Sequence, residues 1–289
     1  MRIRKAVLPI AGLGTRVLPA SKIIPKEMLP LVDKPTLQYI VEEAVAAGVE
    51  EIIFVTSRSK RSIEDHFDSF PELEAVLERK GKHKELKELR QVQAMATYAS
   101  VRQPEPLGLG HAVLCAKDLV GDEPFIVMLG DILIPPETRC LAELIEVYEQ
   151  YQGSVLSLVS LPPEIIPTYG IAAVEELSSN VLKMTHLVEK PPLDEAPSDL
   201  GVLGRYVLTP DIFALLEKTS PGSGGEIQVT DAIEMQAQAG QCYGVKFTGT
   251  LYDTGTPLGL LTTSIAFALK RPDIAPELRE YMRKALSEK

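Results

Sequence analysis

An α/β fold, with a sheet built on parallel crossovers and covered by helices, follows from three observations. Residues 7–11 are a short apolar run that ends at a glycine-bearing loop. Residues 36–47 place Leu37, Ile40, Val41, Ala44 and Val45 at helical spacing, with Pro35 at the start and Gly48 as a stop. Residues 51–56, Glu51-Ile52-Ile53-Phe54-Val55-Thr56, read as a second strand. Strand, helix and strand in succession is the unit that makes a right-handed parallel crossover.

The first run is a buried strand, and Pro9, which has no N–H to give a ladder, belongs at its end or at an irregularity. Residues 71–98 are rich in Glu, Lys, Leu and Arg without a β-branched run, which predicts a long, mostly solvated helical segment covering the sheet. Residues 124–129 and 153–159 read as further buried strands, each flanked by turn residues. The Pro/Gly-rich patches at 161–170 and 191–204 are short, so they read as active-site loops of one domain rather than linkers. Near the end, Leu278, Tyr281, Met282, Ala285 and Leu286 form a helical stripe; such a stripe packs on its own domain more often than on a second subunit.

With 289 residues, 45% of them hydrophobic and 24% charged, the chain is long enough for a full core. Lys plus Arg is 30 against 40 Asp plus Glu, a net charge of −10, which argues against nucleic acid and anionic membrane as partners. A phosphate ligand would therefore need locally concentrated positive charge. Cys115, Cys140 and Cys242 match no metal or redox spacing and read as reduced thiols. The N-terminal apolar run is too short for a signal peptide and no run suits a membrane span, so the cytoplasm is the expected compartment.

The chemistry begins at Ala11-Gly12-Leu13-Gly14-Thr15-Arg16. A Walker A loop would need Gly-Lys-Ser/Thr, and a dinucleotide fingerprint would need Gly or Ala at Val17; neither is present. What remains is a strand end, two glycines that let backbone amides approach a ligand, a hydroxyl at Thr15 and a guanidinium at Arg16 suited to phosphate oxygens. By itself a strand followed by Gly-x-Gly is more often a tight structural turn. Downstream, Pro25-Lys26-Glu27-Met28-Leu29-Pro30-Leu31-Val32-Asp33-Lys34-Pro35 carries three prolines that fix an extended path around Lys26.

The loop, together with Pro19-Ala20-Ser21-Lys22 and Pro25-Lys26-Glu27-Met28-Leu29-Pro30, resembles the bacterial UTP:glucose-1-phosphate uridylyltransferases, the UDP-glucose pyrophosphorylases. It is similar, more loosely, to the thymidylyltransferases acting on the same sugar phosphate. The likeness runs on through Val101-Arg102-Gln103, Gly108-Leu109-Gly110-His111-Ala112, Leu129-Gly130-Asp131, Tyr169-Gly170, Val188-Glu189-Lys190-Pro191, Gly204-Arg205-Tyr206, Gly225-Glu226-Ile227-Gln228-Val229-Thr230-Asp231-Ala232 and Asp253-Thr254-Gly255. It implies a three-layer α/β/α, Rossmann-like mixed and mainly parallel sheet of the nucleotide-diphospho-sugar transferase type. It also implies one nucleotidyltransferase domain over 1–289, with 1–130 mainly for nucleotide, 131–260 mainly for sugar phosphate and 261–289 a helical tail.

By the same resemblance, Ala11, Gly12, Gly14, Thr15, Gln103, Gly108 and Gly110 bind nucleotide, with Gln103 on the pyrimidine edge. Gly170, Glu189, Lys190 and Gly204 face the sugar phosphate, Glu189 through the hydroxyls and Lys190 through the phosphate. Asp131 and Asp253 hold Mg2+, while Arg16, Lys26 and Lys190 are the catalytic cations. The implied reaction joins UTP and glucose 1-phosphate into UDP-glucose and pyrophosphate, in a homodimer or homotetramer. Two residues depart from the uridylyl pattern: Ile132 stands where a second acid is common, and Asp253-Thr254-Gly255-Thr256-Pro257 lacks the usual lysine and reads more like the thymidylyl branch.

That parts list suits the chemistry. A sugar 1-phosphate has a second pKa of about 6, so the attacking oxygen is largely ionised at neutral pH and needs no general base. The obstacle is repulsion between two polyanions, which positioned cations relieve. Three competing readings stand beside this one: a dTTP-dependent or other hexose-1-phosphate enzyme, a regulatory paralogue without activity, and a dinucleotide oxidoreductase. All five of Arg16, Lys26, Asp131, Lys190 and Asp253 are present, which weighs against the paralogue, and the missing third glycine weighs against the oxidoreductase.

Overall fold

The structure is a computed structural model that describes residues 2–135 and 137–287. In chain order its strands are β1 Lys5–Pro9, β2 Pro30–Leu31, β3 Lys34–Pro35, β4 Glu51–Thr56, β5 Thr97–Arg102, β6 Phe125–Met128 and β7 Ile132–Leu133. They continue with β8 Ser154–Ser160, β9 Gly170–Glu176, β10 Val181–Glu189, β11 Leu200–Leu208, β12 Cys242–Lys246 and β13 Tyr252–Asp253. Nine of them form one sheet in the order β5-β4-β1-β6-β11-β8-β12-β10-β9. β5, β4, β1 and β6 are parallel neighbours. β11 runs against both β6 and β8, β12 runs with β8, and β10 runs against β12 and β9. Only β10 and β11 therefore oppose the common direction, so the sheet is mixed but mainly parallel, as expected.

Alternate residues of the central strands feed two separate cores, which is why these strands read as continuous apolar runs. Ala6, Leu8, Ile52 and Phe54 pack beneath the helices Thr36–Ala46 and Cys140–Tyr151. Val7, Ile53, Val55 and Val127 pack on the other side with the helices Leu109–Cys115 and Val229–Gln238. Each fully buried aliphatic or aromatic side chain contributes about 1.5–3 kcal/mol. The result is the three-layer α/β/α arrangement.

Several boundaries differ from the expected ones for identifiable reasons. The first strand is Lys5–Pro9 and Pro9 does end it; Ile10 N–H still donates to the Val55 carbonyl at 2.9 Å. Residues 71–98 are two helices, Pro71–Arg79 and His83–Ala94, broken at Gly81, which has φ +66°, and followed by β5 rather than by more helix. β5 is an edge strand with half-exposed side chains, so it lacks the apolar run that marks the inner strands. In the patch 191–204, residues 200–204 are already strand β11. The tail stripe is only partly covered: the helix Ala275–Ser287 has no fully buried residue, Leu278 and Met282 are half-buried, and Tyr281 and Leu286 are 70% and 74% exposed.

Candidate active site

The carboxyl ends of β1, β4, β5 and β6 lie on one edge of the sheet, the place where open α/β sheets bind ligands. The loop after β1 starts at the buried Ala11 and passes through exposed Gly12 to Gly14, which takes φ +64° and begins a turn at Thr15–Val17. Ser21 Oγ donates to the Gly14 carbonyl at 2.7 Å, and a side chain on Gly14 would press on Ser21 and on the stem of Lys26. The loop therefore packs on the lysine. A side chain on Gly12 would meet nothing within 4 Å, so no packing within the chain requires glycine there.

Asp131 follows β6 and Asp253 ends β13, far apart in sequence. The short ladder between β7 and β13 pairs Ile132 with Asp253 and so sets the two carboxylates side by side. Thr254 reinforces the join, since its N–H and Oγ1 both donate to the Asp131 carbonyl, at 2.8 and 3.0 Å. Gly255 closes it: a Cβ there would lie 2.8 Å from Arg16 Nη2, 2.9 Å from Asp131 Oδ2 and 2.9 Å from Asp253 Oδ1. Lys26 Nζ donates to Asp131 Oδ2 at 2.6 Å and Arg16 Nη2 reaches the same oxygen at 3.3 Å. Burial pushes the Asp131 carboxyl up, but the charge and hydrogen bond of Lys26, and then Arg16, outweigh it and hold the carboxyl below its ordinary value.

Arg16, Asp131 and Asp253 line a cavity of about 340 Å³, which also takes in Tyr169, Gly170, Glu189, Lys190 and Thr230. Gly170 and Glu189 are partners in the β9–β10 ladder, and a Cβ on Gly170 would sit 3.2 Å from Glu189 Oε2. Thr230, at the start of the helix Val229–Gln238, donates to Glu189 Oε2 at 2.6 Å, and Lys190 Nζ meets Glu189 Oε1 at 2.8 Å. Lys190 has φ +47°, an unfavourable backbone state for a side chain of this size, held by its N–H bond to the Tyr169 carbonyl at 2.9 Å. Gly204 does not line this cavity. It sits at an irregularity of β11 with φ +85°, where a Cβ would strike Leu129 at 2.7 Å, so its backbone state and close packing account for it.

Gln103 lies just beyond β5, its N–H on the Thr56 carbonyl at 2.9 Å. Its Nε2 donates to the Gly108 carbonyl at 3.0 Å and lies 3.2 Å from His111 Nδ1. That commits the amide nitrogen and leaves Oε1 as an acceptor. Gly108, at φ +98°, and Gly110 both lie where the backbone of Ile227 crosses, and a Cβ on either would come within 2.8 Å of the Ile227 carbonyl oxygen. Both glycines thus have a packing reason as well.

The sequence reading missed residues that act from below. Glu27 and Lys60 form a buried ion pair, Nζ to Oε1 2.9 Å and to Oε2 2.8 Å, with side chains only 2% and 6% exposed. A Cβ on Gly130 would lie 3.1 Å from Glu27 Cγ, so the pair props the backbone just before Asp131. Lys60 follows β4 in an undistinguished polar stretch, and nothing in its spacing marks it. Thr230 lay within a quoted motif, but only the tertiary contact reveals its partner.

Among the described residues no three His, Cys, Asp or Glu converge as a metal cage. Two adjacent carboxylates on a polar cavity do fit a hard divalent cation that takes most of its ligands from phosphate and water. No helix of the described residues is long and apolar enough to cross a membrane.

The sequence pattern described as nucleotidyl transferase matches residues 5–268. The chain is 48% identical over 286 residues to the UTP–glucose-1-phosphate uridylyltransferase of Bacillus subtilis strain 168, covering 99% of this chain and 98% of that protein. A UTP-bound UGPase from Acinetobacter baumannii superposes with TM-score 0.89 at 44% identity, over 97% of this chain and 99% of that one. A UDP-glucose pyrophosphorylase complexed with UDP-glucose superposes with TM-score 0.85 at 42% identity, over 93% of this chain and 100% of that one. With a glycine-bearing loop after the first strand, a paired carboxylate centre and further polar groups in one cavity, and with these relatives over nearly its whole length, the chain belongs to the nucleotidyl transferase family of UTP–glucose-1-phosphate uridylyltransferases.

Proposed function

We propose that this chain transfers a uridylyl group from UTP to glucose 1-phosphate, with Mg2+, giving UDP-glucose and pyrophosphate. The observation that carries the reading is the cavity with two chemically different groups: Asp131, Asp253 and Arg16, with Lys26 bonded to Asp131, and Glu189, Lys190 and Thr230. The ionised phosphate oxygen of the sugar attacks the α-phosphorus in line, and the bond to the β-phosphate bridge breaks to release pyrophosphate. No proton has to be removed first.

Lys26 and Arg16 neutralise the triphosphate and the leaving pyrophosphate; in the free enzyme both rest on Asp131 Oδ2, which keeps them at the reacting end. Asp131 and Asp253 would hold the Mg2+, which supplies charge neutralisation at the reacting phosphate oxygens. Glu189, oriented by Thr230, takes sugar hydroxyls, and Lys190 takes the sugar phosphate. At the base, Gln103 Oε1 accepts from the N3–H that uracil and thymine carry; cytosine presents an acceptor there and is disfavoured. Gly12 lets the base approach the backbone of the first loop, with Ala11, Gly14 and Thr15 shaping its floor.

The 48% relative and both superposed pyrophosphorylases favour UTP over the dTTP alternative. On the same reading residues 1–130 serve the nucleotide and 131–260 the sugar phosphate, the chain works in the cytoplasm, and it assembles as a homodimer or homotetramer. The deciding experiment is pyrophosphate release with Mg2+ and glucose 1-phosphate, comparing UTP with dTTP. Release with UTP well above that with dTTP is expected. No release with either would sink the proposal, and dTTP preference would reassign the base.

A further inference from the structure

Asp131 sits on a short turn, Leu129-Gly130-Asp131-Ile132, between the end of β6 and β7. A turn of this kind exposes carbonyl groups inward, and burying them without partners is unfavourable. A single guanidinium meets both ends of the turn. Arg205 on β11 has a side chain with 0% exposure; its Nη2 donates to the Ile132 carbonyl at 2.8 Å and its Nη1 to the Leu129 carbonyl at 3.3 Å. Nε and Nη2 also close on Glu43 of the helix Thr36–Ala46, to Oε1 at 3.0 Å and Oε2 at 2.7 Å, and Nη1 reaches the Gly204 carbonyl at 3.4 Å. Burial opposes the Arg205 charge, but Glu43 outweighs it and raises its proton affinity above the ordinary arginine value.

We propose that Arg205 is a positioning residue for the reaction, with Glu43 as the carboxylate that holds it in place. The inference rests on the reading of Asp131 and Asp253 as the Mg2+ ligands. The planar fork of arginine supplies several donors at fixed angles, so it grips the two carbonyls and both Glu43 oxygens at once; a lysine ammonium has no such geometry. Between the gripped ends, the Asp131 carbonyl is held by Thr254 instead, which ties the same turn to the Asp253 strand. Arg205 thus fixes where the Asp131 carboxylate lies relative to Asp253 without touching substrate. The sugar end, built from Glu189, Lys190 and Thr230, stands on other elements and should not feel its loss.

The test uses Arg205→Lys and Glu43→Gln, with Asp131→Asn as the reference for the metal reading itself. Mn2+ affinity is measured by electron paramagnetic resonance on the full chain saturated with UDP-glucose, beside kcat and KM for pyrophosphate release. Outer groups that orient metal ligands typically change metal affinity or activity by about 10–100-fold. Arg205→Lys is therefore expected to weaken Mn2+ and lower kcat by about ten-fold or more, with KM for glucose 1-phosphate within about two-fold. Glu43→Gln should do the same to a smaller degree. A lower Tm with unchanged Mn2+ affinity and kcat in either folded variant overturns the proposal, and Glu43→Gln alone decides if Arg205→Lys does not fold. Unchanged Mn2+ affinity in Asp131→Asn would instead refute the underlying metal assignment.

Discussion

At Lys60, burial and pairing pull in opposite directions: burial lowers its proton affinity while Glu27 supports the charge. Replacing one partner of such a pair strands the other, which typically costs about 3–5 kcal/mol, whereas replacing both by apolar groups is often neutral. Lys60→Met should accordingly destabilise the fold by about that amount in denaturant unfolding, and adding Glu27→Leu should recover most of it. The recovered double variant should still release pyrophosphate slowly, because Gly130 and Asp131 lose their prop; full activity there would show that the pair serves stability alone. Two further residues separate the ends of the cavity. Asp131→Ala should slow pyrophosphate release by about 10²- to 10³-fold or more, with circular dichroism unchanged. Lys190→Ala should raise KM for glucose 1-phosphate more than for UTP, and equal effects would contradict its assignment. His66 provides a pH signature. Burial lowers its pKa below the ordinary 6.5, so the unfolded chain takes up the proton first as pH falls, and stability is lost from about 6.5 down to the folded value. The Tm of the wild type should fall between pH 8 and 5 more steeply than that of His66→Gln; parallel curves would refute this.

Among elements, the glycines sort into two kinds. Gly204, at φ +85° on the β11 irregularity and pressed on Leu129, should tolerate no side chain: Gly204→Ala is expected to lower Tm and expression of folded protein. Gly12 has open space around it, so Gly12→Val should leave Tm unchanged and weaken UTP binding, read by calorimetry. The sequence made the inner elements legible because their apolar runs and stops are local: β4 and the helix Thr36–Ala46 lie within a residue of the expected bounds. The edge strand β5 hid behind half-polar residues that also suit a helix. The β7–β13 ladder was illegible for a different reason, since two-residue strands carry no periodicity and their pairing is a property of the closed fold. The site residues were legible as a set only through the family's ordered motifs; the partners below them, Glu27 with Lys60 and Arg205 with Glu43, depend on contacts between distant segments.

For the molecule as a whole, the net charge of −10 carries into the cavity, where Asp131, Glu189, Glu226 and Asp253 outnumber Arg16 and Lys190, so the few cations there are individually important to a phosphate ligand. The C-terminal helix Ala275–Ser287 is a different case, an amphipathic element with no fully buried residue, whose stripe is half-buried at Leu278 and Met282 and exposed at Tyr281 and Leu286. Ending the chain at Ile274 should therefore leave Tm and pyrophosphate release nearly unchanged in the folded subunit, while light scattering should report a smaller assembly. Loss of the fold would show that the helix supports its own subunit. The β7–β13 ladder has a consequence in time. Because Asp253 reaches Asp131 through β13, a nascent chain can build the parallel strands β1, β4, β5 and β6 and still have no second carboxylate at the centre. The ribosome must therefore deliver the chain past Asp253 before the two carboxylates can stand together, so the centre closes late in synthesis.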